Sequence, residues 1–252
     1  MRTGDFRVKI FADGADVDGI RAMAAEFWIK GFTTNPTLMR KAGIQDYRGF
    51  AREVLDIVRD RPVSFEVFAD DAEGMEWQAR EIASWGPNVN VKIPVTNTRG
   101  EFSGPLIHRL TTAGVIVNVT AVFTLDQVKA VTAHLAEDTP AIVSVFAGRI
   151  ADTGTDPVPV MREALGIMQA RPRAELLWAS PREVLNIVQA NDIGCHIITV
   201  TNDLLAKLSM LGRSHDEFSL DTVKMFHRDA MAAGYRIERT GHGVAQRKES
   251  SS

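Results

Sequence analysis

A chain of 252 residues with 45% hydrophobic content carries apolar material for one substantial core, and α/β barrels commonly run to about 250 residues as one domain. A formal charge of −3 leaves no basic face for nucleic acid or for an anionic membrane surface. The opening MRTGDFRVKIFAD has no apolar signal core, no run reaches the ~18 apolar residues of a membrane helix, and the single cysteine excludes an internal disulfide, so a cytoplasmic protein is expected.

In chain order, short β-branched runs predict strands over 8–13, 31–35, 63–69, 89–95, 115–120, 141–147, 174–180 and 195–200. The segments between them carry apolar residues at three- and four-residue steps, as in Tyr47, Phe50, Val54, Leu55 and Val58, or Val160, Ala164, Leu165 and Met168. This alternation implies a parallel sheet. An open, doubly wound sheet fits the same texture, but eight strands with eight crossovers favour closure into a (β/α)8 TIM barrel. The barrel and an extra C-terminal helix are expected as a single domain over 1–233. Helical stretches are predicted over 202–212 and 217–233, the latter capped by Ser219 or Asp221. The polar, aperiodic segment 234–252 reads as a loose tail. Cys195, in the apolar run CHIITV, reads as a buried inert thiol.

Alternate residues of a barrel strand face the interior and the helices. In VNVKIPV, the helices take Val91, Ile93 and Val95, so Lys92 points inward with Asn90 and Pro94. A lysine there is unusual, because a buried unpaired charge costs several kcal/mol. The same register turns Asp13, Thr33 with Asn35, Glu66, Asn118 with Thr120, Ser144 with Phe146, and Ser180 toward the C-terminal ends of the strands, where barrel active sites lie. A neutral lysine amine can attack a ketone and form an iminium, an electron sink for breaking the adjacent carbon–carbon bond; desolvation favours the neutral form it needs. The pattern alone equally allows a structural ion pair of Lys92 with Asp13 or Glu66. Arg149 and Arg182 follow the sixth and seventh strands, where barrels commonly bind phosphate, and arginine meets phosphate with a planar fork of donors.

These segments resemble the transaldolase family, in its small-subunit branch of transaldolases and fructose-6-phosphate aldolases. KGFTTNPTLM, VNVKIPVT, VNVTAVFT, SVFAGRI and WASPRE run in family order between about residues 8 and 210. The resemblance implies that Lys92 is the Schiff-base nucleophile and that Asp13 exchanges the C4 hydroxyl proton. It implies that Glu66 with Thr120 holds and activates water. Thr33, Asn35, Asn118, Ser144 and Phe146 would line the donor site; Arg149, Ser180 and Arg182 would hold the phosphate. No metal and no cofactor are expected, because the iminium does the electrophilic work and the chain has no HExxH, Cys/His cluster, Walker loop or GxGxxG.

The implied activity is transfer of a dihydroxyacetone unit from fructose 6-phosphate or sedoheptulose 7-phosphate to an aldose phosphate, in carbohydrate metabolism of the pentose phosphate type. The alternative is a lyase releasing free dihydroxyacetone. Those aldolases typically carry Gln and Tyr where this chain has Glu66 and Phe146, which favours the transferase. The departures are Gly14, where the family usually has Ser or Thr, Val145, where many members have Pro, and the tail from Gly234; they leave room for an unusual sugar phosphate. Sugar phosphates are the expected partners, with neither nucleic acid nor membrane. A homo-oligomer is expected, a pentamer or decamer in this branch.

Overall fold

The computed structural model describes residues 5–237. Eight parallel strands close into a barrel in sequence order: β1 (Lys9–Asp13), β2 (Ile29–Thr33), β3 (Val63–Glu66), β4 (Val89–Pro94), β5 (Val117–Val122), β6 (Ala141–Val145), β7 (Ala174–Trp178) and β8 (Ile197–Thr201), with β8 paired to β1. The crossovers are α1 (Val17–Ala24), α2 (Pro36–Lys41), α3 (Tyr47–Ile57), α4 (Ala72–Ala83), α5 (Gly104–Thr112), α6 (Leu125–His134), α7 (Ala147–Asp152), α8 (Pro157–Met168) and α9 (Leu185–Asp192). After β8 come α10 (Asn202–Leu205), a 3-10 turn (Ala206–Met210) and α11 (His215–Ala232). The fold is therefore the (β/α)8 barrel, not the open sheet.

Several helix starts are placed by local chemistry. Asp16, Asn35, Asp46, Asp71 and Thr124 each accept an N–H from the first turn of the helix that follows. Such caps contribute about 1 kcal/mol apiece. Around the barrel, the outward-facing Val91, Ile93, Val117, Val119, Val143 and Leu176 form one buried cluster with helical Val54, Ala79, Leu110, Val131, Met161 and Ile187. Inside the barrel a smaller apolar plug consists of Phe11, Ile142, Leu177, Ala179 and Ile197. Phe11 fits because its register partner on β2 is Gly31, where a Cβ would lie 2.5 Å from the ring. Above this plug the interior turns polar.

Several boundaries differ from the sequence expectation. β2 spans 29–33 rather than 31–35, β3 stops at Glu66, β6 at Val145 and β7 at Trp178. The residues past these ends keep strand-like composition, and Val67 and Phe146 still donate one backbone bond each to the neighbouring strand, to Lys92 O at 3.2 Å and to Val122 O at 2.9 Å. The stretch 202–212 is not one helix but a short α-turn and a 3-10 turn. The chain divides by contacts into two units, Met1–Leu211 and Gly212–Ser252. In the second, α11 is capped by Ser214, whose Oγ accepts from Glu217 N, and not by Ser219 or Asp221. Asp221 lies within the helix and pairs with Arg213, whose guanidinium lies 4.9 Å from the Phe218 ring centroid. Most of the expected tail, 238–252, lies outside the described residues.

Candidate active site

The interior-facing residues of β1 to β6 lie side by side through strand register. Asp13 is level with Thr33, Glu66 with Lys92, Lys92 with Asn118, and Pro94 with Thr120. All twelve residues singled out in the sequence line one cavity of about 560 Å³: Asp13, Thr33, Asn35, Glu66, Lys92, Asn118, Thr120, Ser144, Phe146, Arg149, Ser180 and Arg182.

Lys92 is 7% exposed. Its Nζ donates to the carbonyl of Thr34 at 2.7 Å and lies 3.0 Å from Glu66 Oε2. The ion pair that the pattern allowed is thus present with Glu66, while Asp13 acts on Lys92 through charge. Asp13 accepts from Thr33 Oγ1 at 2.8 Å, and the Thr33 hydroxyl also meets that of Thr199. Burial raises the Asp13 pKa above its ordinary 3.8; the charge of Lys92 and the Thr33 hydrogen bond oppose this, and the charge of Glu66 adds to it. Ser144 Oγ donates to Asn118 Oδ1 at 2.6 Å, and Asn118 Nδ2 donates to Ser64 Oγ at 3.2 Å. That chain fixes which way the Asn118 amide points.

Asn35 differs from its expected place. It is not on β2 beside Thr33 but caps α2, with Oδ1 accepting from Leu38 N at 3.0 Å. Its oxygen is occupied, and its amide NH2 is the part able to meet a ligand. The two non-glycine residues with left-handed backbone among the described residues, Ala121 (φ 59°) and Ser180 (φ 59°), both line the cavity. The β5–β6 register shifts between Val119 and Val122, a bulge beside Thr120 that re-aims the strand end. Strained backbone of this kind gathers at functional sites.

The arginine side is built by a close approach. Gly148 in α7 lies so near Ser180 that a Cβ would stand 1.5 Å from its carbonyl oxygen. This brings Arg149 on α7 beside the loop after β7. Arg149 therefore sits in a helix rather than a loop, with its guanidinium 5.6 Å from the Phe146 ring centroid and no carboxylate partner among the described residues. Arg182 is already engaged: Nε donates to Asp152 Oδ1 at 3.0 Å, and a second nitrogen meets Oδ2. The sequence reading missed Thr199, Thr201, Asp203 and Lys207, which also line the cavity. The alternation of CHIITV pointed to Thr199; nothing in the sequence marked Lys207. Of the departures, Gly14 has room for a side chain, since a Cβ would meet only Asn202 Nδ2 at 3.9 Å. Val145 is fully buried in the outer apolar layer. Cys195 is buried, which pushes its thiol up to about 12.

A (β/α)8 barrel with a buried lysine paired to a carboxylate among hydroxyl and amide groups at its C-terminal mouth defines a narrow class of sites. The Transaldolase/Fructose-6-phosphate aldolase family matches residues 10–247, and the chain belongs to that family. A protein of Listeria monocytogenes named probable transaldolase 2 is 36% identical over 202 residues, 80% of this chain and 88% of its own. A probable transaldolase of Thermoanaerobacter is 37% identical over 203 residues, 80% of this chain and 89% of its own. The fold is also shared with a 2,3-dimethylmalate lyase at TM-score 0.54 and 11% identity, covering 94% of this chain and 87% of that one. The family match runs into the polar tail.

Proposed function

We propose that this protein is a class I transaldolase that moves a dihydroxyacetone unit from a ketose phosphate to an aldose phosphate through a Schiff base on Lys92. The observation that carries the reading is the buried Lys92 amine, 2.7 Å from Thr34 O and 3.0 Å from Glu66 Oε2, opening onto a cavity. A buried ion pair is seldom worth its desolvation as a structural device, so a pair facing a substrate-sized cavity favours chemistry. In this reading the Nζ, once neutral, attacks C2 of fructose 6-phosphate or sedoheptulose 7-phosphate. Glu66 and Thr120 hold the water released and later consumed. Asp13 takes the C4 hydroxyl proton, the C3–C4 bond breaks and an aldose phosphate leaves. The enamine left on Lys92 then attacks the acceptor. The raised pKa of Asp13 suits a group that both accepts and returns a proton. Asn35, Asn118 and Ser144 meet donor hydroxyls; Arg149, Ser180 and Arg182 meet the phosphate.

A carboxylate rather than an amide at Glu66, and Phe146, support transfer over release of free dihydroxyacetone. The test is product formation from fructose 6-phosphate with and without an aldose phosphate acceptor. Acceptor-dependent turnover supports the transferase. Steady release of dihydroxyacetone without acceptor makes it a lyase, and turnover only with longer ketose phosphates makes it a transaldolase of a specialised pathway. The reading carries with it assembly into a homo-oligomer, checked by light scattering of the full chain.

A further inference from the structure

Tyr47, the first residue of α3, falls in a stripe of apolar spacing that reads as core. Its ring is packed edge-on or tilted against Phe65, Phe68 and Trp85, at centroid distances of 6.1, 4.6 and 5.5 Å. Its hydroxyl does something different. Glu66 N–H donates to Tyr47 Oη at 2.7 Å, and the same hydroxyl donates to Glu66 C=O at 3.0 Å.

The β2–β3 ladder explains why this matters. Phe32 N–H donates to Pro62 C=O at 2.8 Å, and Thr34 N–H donates to Ser64 C=O at 3.2 Å. In a parallel ladder, a residue that donates to one neighbour accepts from the residue two further along the opposite strand. The next rung would run from Glu66 N–H to Thr34 C=O. Instead Glu66 N–H goes to Tyr47, and the Thr34 carbonyl receives Lys92 Nζ at 2.7 Å.

We propose that Tyr47 is a positioning residue for the Lys92–Glu66 pair. By drawing the Glu66 amide out of the ladder, its hydroxyl frees the Thr34 carbonyl to hold the lysine amine. By binding both the N–H and the C=O of Glu66, it fixes the backbone from which the carboxylate reaches that amine. The rings of Phe65 and Trp85 fix where the hydroxyl sits, while Phe68 is half exposed and covers only the outer side of the phenol ring. Burial raises the pKa of the phenol, so it stays protonated and serves as donor and acceptor together. With the hydroxyl removed, Glu66 N–H is left unpaired or turns to Thr34 C=O and competes with the lysine; either way the amine and the carboxylate lose their shared geometry. The inference rests on the reading of Lys92 as nucleophile.

The experiment compares wild type, Tyr47→Phe and Phe68→Leu. The last disturbs the same rings and leaves the hydroxyl. Each is measured for the rate of borohydride-trapped adduct at saturating fructose 6-phosphate, for kcat and KM, and for Tm. Tyr47→Phe is expected to lower adduct rate and kcat about tenfold while the donor KM stays within about twofold, because geometry at the amine changes and phosphate binding does not. Phe68→Leu is expected to keep the wild-type adduct rate. A Tyr47→Phe variant with a wild-type adduct rate, whether or not its Tm falls, overturns the inference, as does equal slowing in Phe68→Leu. If wild type itself forms no adduct on Lys92, the nucleophile reading falls and takes the inference with it, an outcome distinct from a variant that reacts as well as wild type.

Discussion

Glu66 and Lys92 are register partners on β3 and β4, and their side chains meet 3.0 Å apart inside the barrel. Neighbouring strands thus bring a carboxylate and an amine together by register alone. Removing the lysine should abolish turnover and leave Glu66 without its counter-charge. Breaking a buried pair costs about 3–5 kcal/mol, and the low end applies here because Glu66 opens onto the cavity. Lys92→Met should show no detectable activity, a native circular dichroism spectrum and a lower denaturant midpoint.

Asp13 predicts a pH signature. Burial raises its folded-state pKa above the ordinary 3.8, so the charged carboxylate is disfavoured in the fold. Below 3.8 both folded and unfolded chains carry the proton and Asp13 costs nothing. As pH rises through the window between 3.8 and the raised value, the fold loses stability to this group, and above it the loss is complete. Asp13→Asn should therefore melt at a higher temperature than wild type at pH 7, with the difference closing as pH falls below 3.8. The same variant should still form an adduct on Lys92 but release the aldose phosphate far more slowly.

The two arginines should not be equal. Arg149 has no carboxylate partner among the described residues, whereas Arg182 has to share its fork with Asp152. A hydrogen bond to a charged group contributes about 1.5–3 kcal/mol, so Arg149→Ala should raise KM for a phosphorylated donor at least about tenfold. Arg182→Ala should raise it less. Neither should alter KM for an unphosphorylated ketose, which steady-state kinetics with fructose will check.

Gly148 is where α7 and the loop after β7 touch. A methyl group there meets the Ser180 carbonyl, so Gly148→Ala has to push Arg149 and Ser180 apart. Overpacking of this kind costs about 1–3 kcal/mol. The expected readouts are a lower denaturant midpoint and a higher KM confined to phosphorylated donors.

The barrel was legible because eight short strand-like runs alternate with helical spacing, and the inward lysine because Val91 and Ile93 flank it on the opposite face of the strand. Asp13, Glu66, Asn118 and Ser144 were legible by the same alternation. Strand ends were not, since Val67 and Phe146 lie beyond β3 and β6 yet keep β-like side chains and one backbone bond each to the neighbouring strand. Asn35 was misplaced because an Asn before Pro suits an extended strand end and a helix cap equally. The carbonyl of Thr34 and the hydroxyl of Tyr47 had no signal at all: one is main chain, and the other sits on a ring whose spacing says core. Lys207 was invisible because a lysine on a short helical turn looks like any solvated charge.

The measurement that bears most directly on the central claim is borohydride reduction in the presence of fructose 6-phosphate, followed by peptide mass mapping. The account predicts a dihydroxyacetone-sized adduct on the peptide containing Lys92, absent in Lys92→Met. An adduct on a different lysine, or none with any ketose phosphate in a panel extending to sedoheptulose 7-phosphate, would contradict it.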